Sequence, residues 1–280
     1  MADAAPVRSG DGSRFPLRPS NALKTLMASD VARVVALGAS NLTRGFQTIV
    51  SAARSVWGAD VEVLAALGHG RSYGAPSRFI VRTLPSILKS GLWNELERRP
   101  PVATRGLVTD VGNDILYGFT VERTLSWVEE VLIRLGRVTK DIVLTDLPLA
   151  SVYLLSHTKF LAFRSIFLPS CRLTHGQAIE RAERLNEGLL KLSAAYDTKL
   201  IQLDPSWYGF DPIHVRPSRW RPAWQQILGE QSLEPFDGRS MVESLKLYVM
   251  RPERRWIFGI EQVTPQSGVS LRSGGQVWLY

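Results

Sequence analysis

Five short apolar runs, spaced along the chain and separated by turns and helix-patterned stretches, constrain the fold more than any other feature. They are Val31–Leu37 (VARVVAL), Val61–Leu67 (VEVLAAL), Gly106–Thr109, Asp141–Thr145 and Lys199–Leu203. Runs this short, apolar and rich in β-branched residues are strands buried on both faces. The stretches between them carry helical spacing. Phe46, Ile49, Val50 and Ala53 recur on one face after the first run. Val121, Leu125, Val128 and Leu132 form a stripe after Thr120, a good N-cap. Ile179, Leu185, Leu189 and Leu192 mark a long amphipathic helix over 174–196, and a last helix runs from about Pro217 to Leu228. The stretch 77–89 reads as helical, with Pro85 as a break or kink. Strand–helix alternation of this kind argues a doubly wound α/β sandwich with right-handed crossovers around a central five-stranded, mostly parallel sheet.

The chain has 280 residues, enough for one large domain with an appendage. Residues 1–28 are polar with Gly, Ser and Pro mixed in, and read as a mobile leader. Residues 29–230 form the α/β domain. From 231 to 280 the pattern changes: Trp256, Phe258 and Ile260 alternate, as do Val269 with Leu271 and Val277 with Leu279, around the turn Pro265–Gly268. This is a small β-rich tail whose simplest role is to cover an edge of the main sheet.

Several classes are set aside by composition. One cysteine, Cys171, rules out an intrachain disulfide and fits a buried apolar position. The first residues lack an apolar core of the kind a secretory signal needs, and no apolar run is long enough to span a bilayer, so the expectation is a cytoplasmic protein without an integral membrane segment. The net charge of +8 would suit an anionic partner such as nucleic acid, lipid or an acidic polymer. The arginines are mostly scattered and no nucleic-acid motif is present, so a solvated basic surface is preferred; Arg251, Arg254 and Arg255 are the densest group. No metal-ligand spacing and no dinucleotide-binding glycine fingerprint are found, so neither metal nor cofactor is expected.

Three segments carry chemistry, and two of them directly follow expected strands. Gly38-Ala39-Ser40-Asn41 follows the first strand, which places Ser40 at a helix start among unpaired N–H donors. Alone, it reads more readily as a helix N-cap, since caps are far commoner than nucleophiles. Val111-Gly112-Asn113-Asp114 follows the third strand; the Asn113 amide could donate to an anion or close an Asx turn. Asp211-Pro212-Ile213-His214 sets a carboxylate three residues before an imidazole, close enough to reach its Nδ1, or else to cap the next helix. Together they supply a nucleophile, a base, an orienting acid and an oxyanion donor. The other histidines fit less well: His69 has no acid three residues before it, and His157 and His175 read as surface or helix-end residues.

With those residues assembled, the chain resembles the SGNH (GDSL-type) hydrolase superfamily over about residues 31–229. The resemblance implies a flavodoxin-like sandwich and four blocks in order. Ser40 would be the nucleophile, Asp211 the orienter and His214 the base. Ser40, Gly70 and Asn113 would form the oxyanion hole, with Gly68 the alternative to Gly70 in Leu67-Gly68-His69-Gly70-Arg71-Ser72. Ala39 stands where the family usually has Asp, Asn41 where it has Leu, and Val111 where it has Gly. The implied activity is cleavage of small-molecule carboxylic esters through an acyl-enzyme. The alternatives are acyl transfer or carbohydrate O-deacetylation on the same site, or an inactive α/β binding module. Oligomeric state stays open, with a homodimer through the tail as one option.

Overall fold

The structure is a computed structural model that describes residues 32–167, 171–229, 241–272 and 274–280. The expected leader and the expected boundary near 231 lie outside the described residues. All five expected strands are present: β1 (Arg33–Leu37), β2 (Glu62–Ala66), β5 (Thr104–Val108), β6 (Asp141–Thr145) and β7 (Lys199–Ile201). They run parallel in the order β2-β1-β5-β6-β7. Numbered by their own succession this is 2-1-3-4-5, the flavodoxin-like doubly wound order.

Both faces of this sheet are covered, which is why its strands carry no polar alternation. Val34 and Ala36 of β1 belong to one core layer, with Phe46 and Ile49 of helix α1 (Ser40–Trp57). Val35 and Leu37 belong to the other, with Trp93 of α2 (Leu92–Arg98), and, beyond α3 (Asn113–Leu116), with Val128 of α4 (Val121–Gly136). The helix α4 begins where Thr120 accepts a hydrogen bond from the Arg123 N–H. Two further helices, α5 (Leu149–Tyr153) and α6 (His157–Phe167), follow β6. The long helix α7 (His175–Ala195) opens on a reciprocal capping box between Thr174 and Gln177. The last helix of the sandwich, α8 (Trp220–Leu228), packs Trp224 against α1 and ends at Gly229 in the left-handed conformation.

Two expectations are corrected. The central sheet has seven strands, not five. After α9 (Met241–Val249) and the hairpin β8 (Arg254–Ile257) and β9 (Ile260–Val263), the chain returns to the main sheet. There β10 (Val269–Ser270) pairs antiparallel with β11 (Gln276–Leu279), and β11 lies parallel to β2, so the tail extends the sheet beyond β2. Edge groups of β2 that would otherwise face water are paired by β11. The second correction concerns 77–89, which is not helical. Two three-residue strands, β3 (Ser77–Phe79) and β4 (Arg82–Leu84), precede a single 3₁₀ turn, Ile87–Lys89. They join β8 and β9 in a separate antiparallel sheet, β3-β4-β8-β9. Among the described residues, no helix is long and apolar enough to cross a membrane.

Candidate active site

Ligands of doubly wound sheets sit at the carboxyl ends of the strands, where the strand order reverses. Here that point lies between β1 and β5. Ser40 is the first residue of α1, directly beyond β1. Its neighbours in the first turn have no helical partner for their N–H groups, and Ala39 offers no side-chain cap. Asp110, directly beyond β5, supplies that cap from across the switch point. Its Oδ2 accepts from the N–H groups of Ala39, Asn41 and Leu42 at 2.9, 3.0 and 3.1 Å. Asp110 is held with φ of 61°, a left-handed conformation that Asp tolerates better than most residues.

Ser40, Asp211 and His214 meet. The Oγ of Ser40 lies 2.8 Å from Nε2 of His214, and Nδ1 of His214 lies 2.6 Å from Oδ2 of Asp211. The second carboxylate oxygen of Asp211 accepts from the Ile213 and His214 N–H groups, both at 3.2 Å, so the turn that carries the imidazole is built on the same acid. Burial pushes the Asp211 carboxyl up, but the hydrogen bond and charge of His214, with the Arg44 guanidinium 3.8 Å away, outweigh it and hold the group below its usual range. An ionised Asp211 on Nδ1 leaves the proton there and presents Nε2 to Ser40 as an acceptor.

The expected oxyanion donors are placed as follows. Asn113 is the first residue of α3 and lines the same cavity as Ser40. Gly70 has φ of 65°, a backbone that glycine adopts more readily than other residues, and a Cβ there would meet Tyr117 Oη at 2.4 Å. Its carbonyl accepts from that Tyr117 hydroxyl at 2.5 Å. The Gly68 carbonyl closes a turn with the Arg71 N–H, and a Cβ there would strike Leu84; its own N–H, like that of Gly70, donates to no protein group among the described residues. Among the described residues, the N–H of Ser40, the N–H of Gly70 and the Asn113 side-chain amide donate to no protein group, although the N–H groups flanking Ser40 are all taken by Asp110.

Two residues of this site escape the sequence reading. One is Asp110. The other is Asn41, whose amide donates to Asp110 Oδ1 and to the Ile213 carbonyl, both at 2.8 Å, and accepts from the Val215 N–H at 2.8 Å. Asn41 therefore ties the serine turn, the β5 turn and the histidine loop together. The signal that could have exposed Asp110 is an acid directly after a central strand beside a helix start with no cap of its own. Of the aromatic residues near these segments, Tyr208 lines the cavity beside Ser40, while Tyr73 and Trp207 are core residues and Phe210 is 84 % exposed. His69 stacks on Phe79 with centroids 5.2 Å apart. Burial first, then the charges of Arg82, Arg44 and His214, lower its pKa to about 4, so it is neutral and cannot serve as a proton store near pH 7.

Beside Ser40 opens a cavity of about 120 Å³. Its walls are largely apolar, from Ile115, Leu147, Val152, Phe160 and Ile179. Two carboxylates line it, the capping Asp110 and Asp146 just beyond β6, which burial raises to about 6.

Fold and geometry together define a class: a flavodoxin-like α/β sandwich with a Ser-His-Asp relay at the switch point of its sheet. The four sequence blocks of the SGNH resemblance come together at that edge. Solved structures similar to this chain include the native aryl esterase of M. smegmatis, 12 % identical over 71 % of this chain and 98 % of that one, with a TM-score of 0.48. A lipolytic G-D-S-L family member from Veillonella parvula is 11 % identical over 72 % of this chain and 99 % of that one, at 0.46. The psychrotrophic esterase EstA from Pseudoalteromonas sp. is 11 % identical over 71 % and 97 %, at 0.42. No family model and no curated protein matches the chain.

Proposed function

We propose that the protein is a serine hydrolase that cleaves carboxylic esters through an acyl-enzyme intermediate. The observation that carries this reading is the relay Ser40–His214–Asp211, at 2.8 and 2.6 Å, together with the Ser40 and Gly70 N–H groups and the Asn113 amide, which donate to no protein group among the described residues. In the first half-reaction His214 Nε2 takes the Ser40 hydroxyl proton as Oγ attacks the ester carbonyl. Asp211 stabilises the imidazolium without itself becoming protonated. The negative charge on the former carbonyl oxygen is met by the N–H groups of Ser40 and Gly70 and by the Asn113 amide, which are fixed before the reaction and need no reorganisation. The intermediate collapses, the alkoxide leaves with the proton from His214, and Ser40 is acylated. Water then repeats the sequence, losing its proton to His214 and releasing the acid.

The apolar cavity supports a hydrocarbon acyl group more than an acetylated sugar. At about 120 Å³ it is close in size to cavities that take up a benzene-sized molecule, which corresponds to a chain of about four to eight carbons. The test is hydrolysis of a p-nitrophenyl ester series from acetate to long chains, on wild type and Ser40→Ala side by side. The expected result is an optimum at intermediate length and loss of turnover in the variant. Equal rates in both proteins would overturn the reading. Turnover by wild type only when an alcohol acceptor is added would make the enzyme an acyltransferase on the same site.

A further inference from the structure

The proposed chemistry leaves the four-stranded sheet β3-β4-β8-β9 unused. Its two hairpins end side by side, with the Phe258 N–H donating to the Val81 carbonyl at 3.0 Å. At the tips stand Ile80 and Phe258, non-glycine residues with φ of 56° and 51°. For such bulky residues this backbone is uncommon. Its effect is to leave both side chains in solvent, 74 % and 77 % exposed, next to Ile260 at 70 %. Large apolar side chains gathered at one projecting point are unlike the scattered exposed residues of an ordinary surface.

The charges around them are mostly of one sign. The four strands hold four arginines and a single acid, Glu261, which pairs with Arg254 at 3.4 Å. Phe79, Arg82, Ile257 and Ile260 oppose one another across the sheet and so share a face, with Arg255 two residues along. Arg78 reaches back to the Ile80 carbonyl at 2.9 Å, and Arg251 is exposed beyond Arg255. Burial and then Arg255 lower the Arg82 guanidinium; burial and then Arg251 lower Arg255. Arg82, Arg251 and Arg255 have no acid partner among the described residues, as suits a surface that faces anions.

We propose that these hairpin tips dock the protein onto a bilayer rich in anionic phospholipid, with Phe258, Ile80 and Ile260 entering the headgroup–acyl boundary and Arg78 and Arg255 meeting the phosphates. An apolar point with a basic rim is the combination that binds an interface by area and charge at once. A nucleic-acid backbone would use the guanidinium groups but gains nothing from apolar side chains extended into water. The same sheet face reaches the site, because Phe79 stacks on His69, the neighbour of Gly70. Delivery of lipid esters to Ser40 would follow only if the proposed esterase function holds; the docking itself does not depend on it.

The experiment is co-sedimentation of the full chain with vesicles of pure phosphatidylcholine and of phosphatidylcholine with about 30 % phosphatidylglycerol, at low and moderate salt. Binding is expected to the anionic vesicles alone and to weaken with salt. The paired change Phe258→Ser with Ile80→Ser should lower partitioning by at least about tenfold. Arg78→Gln and Arg255→Gln should each lower it about fivefold. Hydrolysis of a short soluble ester, unchanged in these variants, shows that the fold is kept. Failure of that hydrolysis in wild type as well would count against the esterase reading and not against docking. Equal binding to neutral and anionic vesicles, or variants that bind like wild type, would overturn the proposal. So would a dimer that Phe258→Ser disperses, or duplex DNA bound equally by wild type and Phe258→Ser.

Discussion

Asn41 holds the site together through contacts that its place beside Ser40 does not announce. It spends every polar atom of its amide on main chain or carboxylate: Asp110 Oδ1, the Ile213 carbonyl and the Val215 N–H. Replacement by Ala or Leu strands these groups in a half-buried site, and the loop that positions His214 loses its tie to the serine turn. The expected cost is about 2–4 kcal/mol of stability, with kcat falling more than KM changes. Urea unfolding together with steady-state kinetics checks both parts, and a variant indistinguishable from wild type would refute the role. Asp211→Asn keeps the shape but not the charge or the tautomer control, and should lower kcat by roughly 10⁴-fold. Asn113→Ala removes one of the proposed oxyanion donors and should cost about 10²–10³-fold in kcat. The candidates Ser40, Asp211 and His214 were legible in the sequence because each type has a committed chemistry and the acid lies only three residues from its imidazole. Asn41 and Asp110 were not, because their bonds join residues 69 and 172 positions apart, a proximity that exists only once β1, β5 and the histidine loop share an edge.

At the scale of elements, α1 and α8 meet at a position that allows no side chain. A Cβ on Gly45 would lie 2.1 Å from Nε1 of Trp224, a residue 1 % exposed. In an open helix, Gly→Ala gains about 1 kcal/mol. Here overpacking of about 1–3 kcal/mol or more opposes that gain, and Gly45→Ala is expected to lower Tm by several degrees in a thermal melt. An unchanged or raised Tm would mean that the two helices separate easily. The five parallel strands could be read because burial on both faces writes itself into each run separately. β3 and β4 could not. Three residues set no period, and what makes them strands is the pairing of β3 with β4 and of β4 with β8, more than 170 positions later. The alternation of Val277 and Leu279 showed a strand, but that its partner is β2 depends on Ala65 and Val63 presenting a free edge. Helix α9 left no readable stripe, since Met241, Val242, Leu245, Tyr248 and Val249 all face outward.

Over the whole molecule, buried acids give stability an unusual dependence on pH. Asp114, fully buried behind the site, accepts from the Tyr73 N–H at 2.9 Å, while its Oδ1 has no hydrogen-bond partner among the described residues. Burial raises its carboxyl from 3.8 to about 6. The folded protein therefore keeps a proton that the unfolded chain has released, and this contribution to stability is lost as pH rises through that window. Asp114→Asn has no such titration. Its stability relative to wild type should rise by about 2–3 kcal/mol between pH 4 and pH 6.5, read from urea midpoints at several pH values; a constant difference would contradict it. The comparison with wild type matters because His69, lowered to about 4, contributes with the opposite sign over the same range. These charges and the seven-stranded sheet serve one arrangement, in which the chain's three chemistry-bearing turns converge on Ser40. The most direct test of that convergence is to treat wild type, Ser40→Ala and His214→Ala with diisopropyl fluorophosphate and weigh the intact proteins. One adduct, mapped to Ser40 in wild type, absent in Ser40→Ala and strongly slowed in His214→Ala, is the predicted result. An unlabelled wild type, or a Ser40→Ala protein labelled at the same rate, would contradict the account.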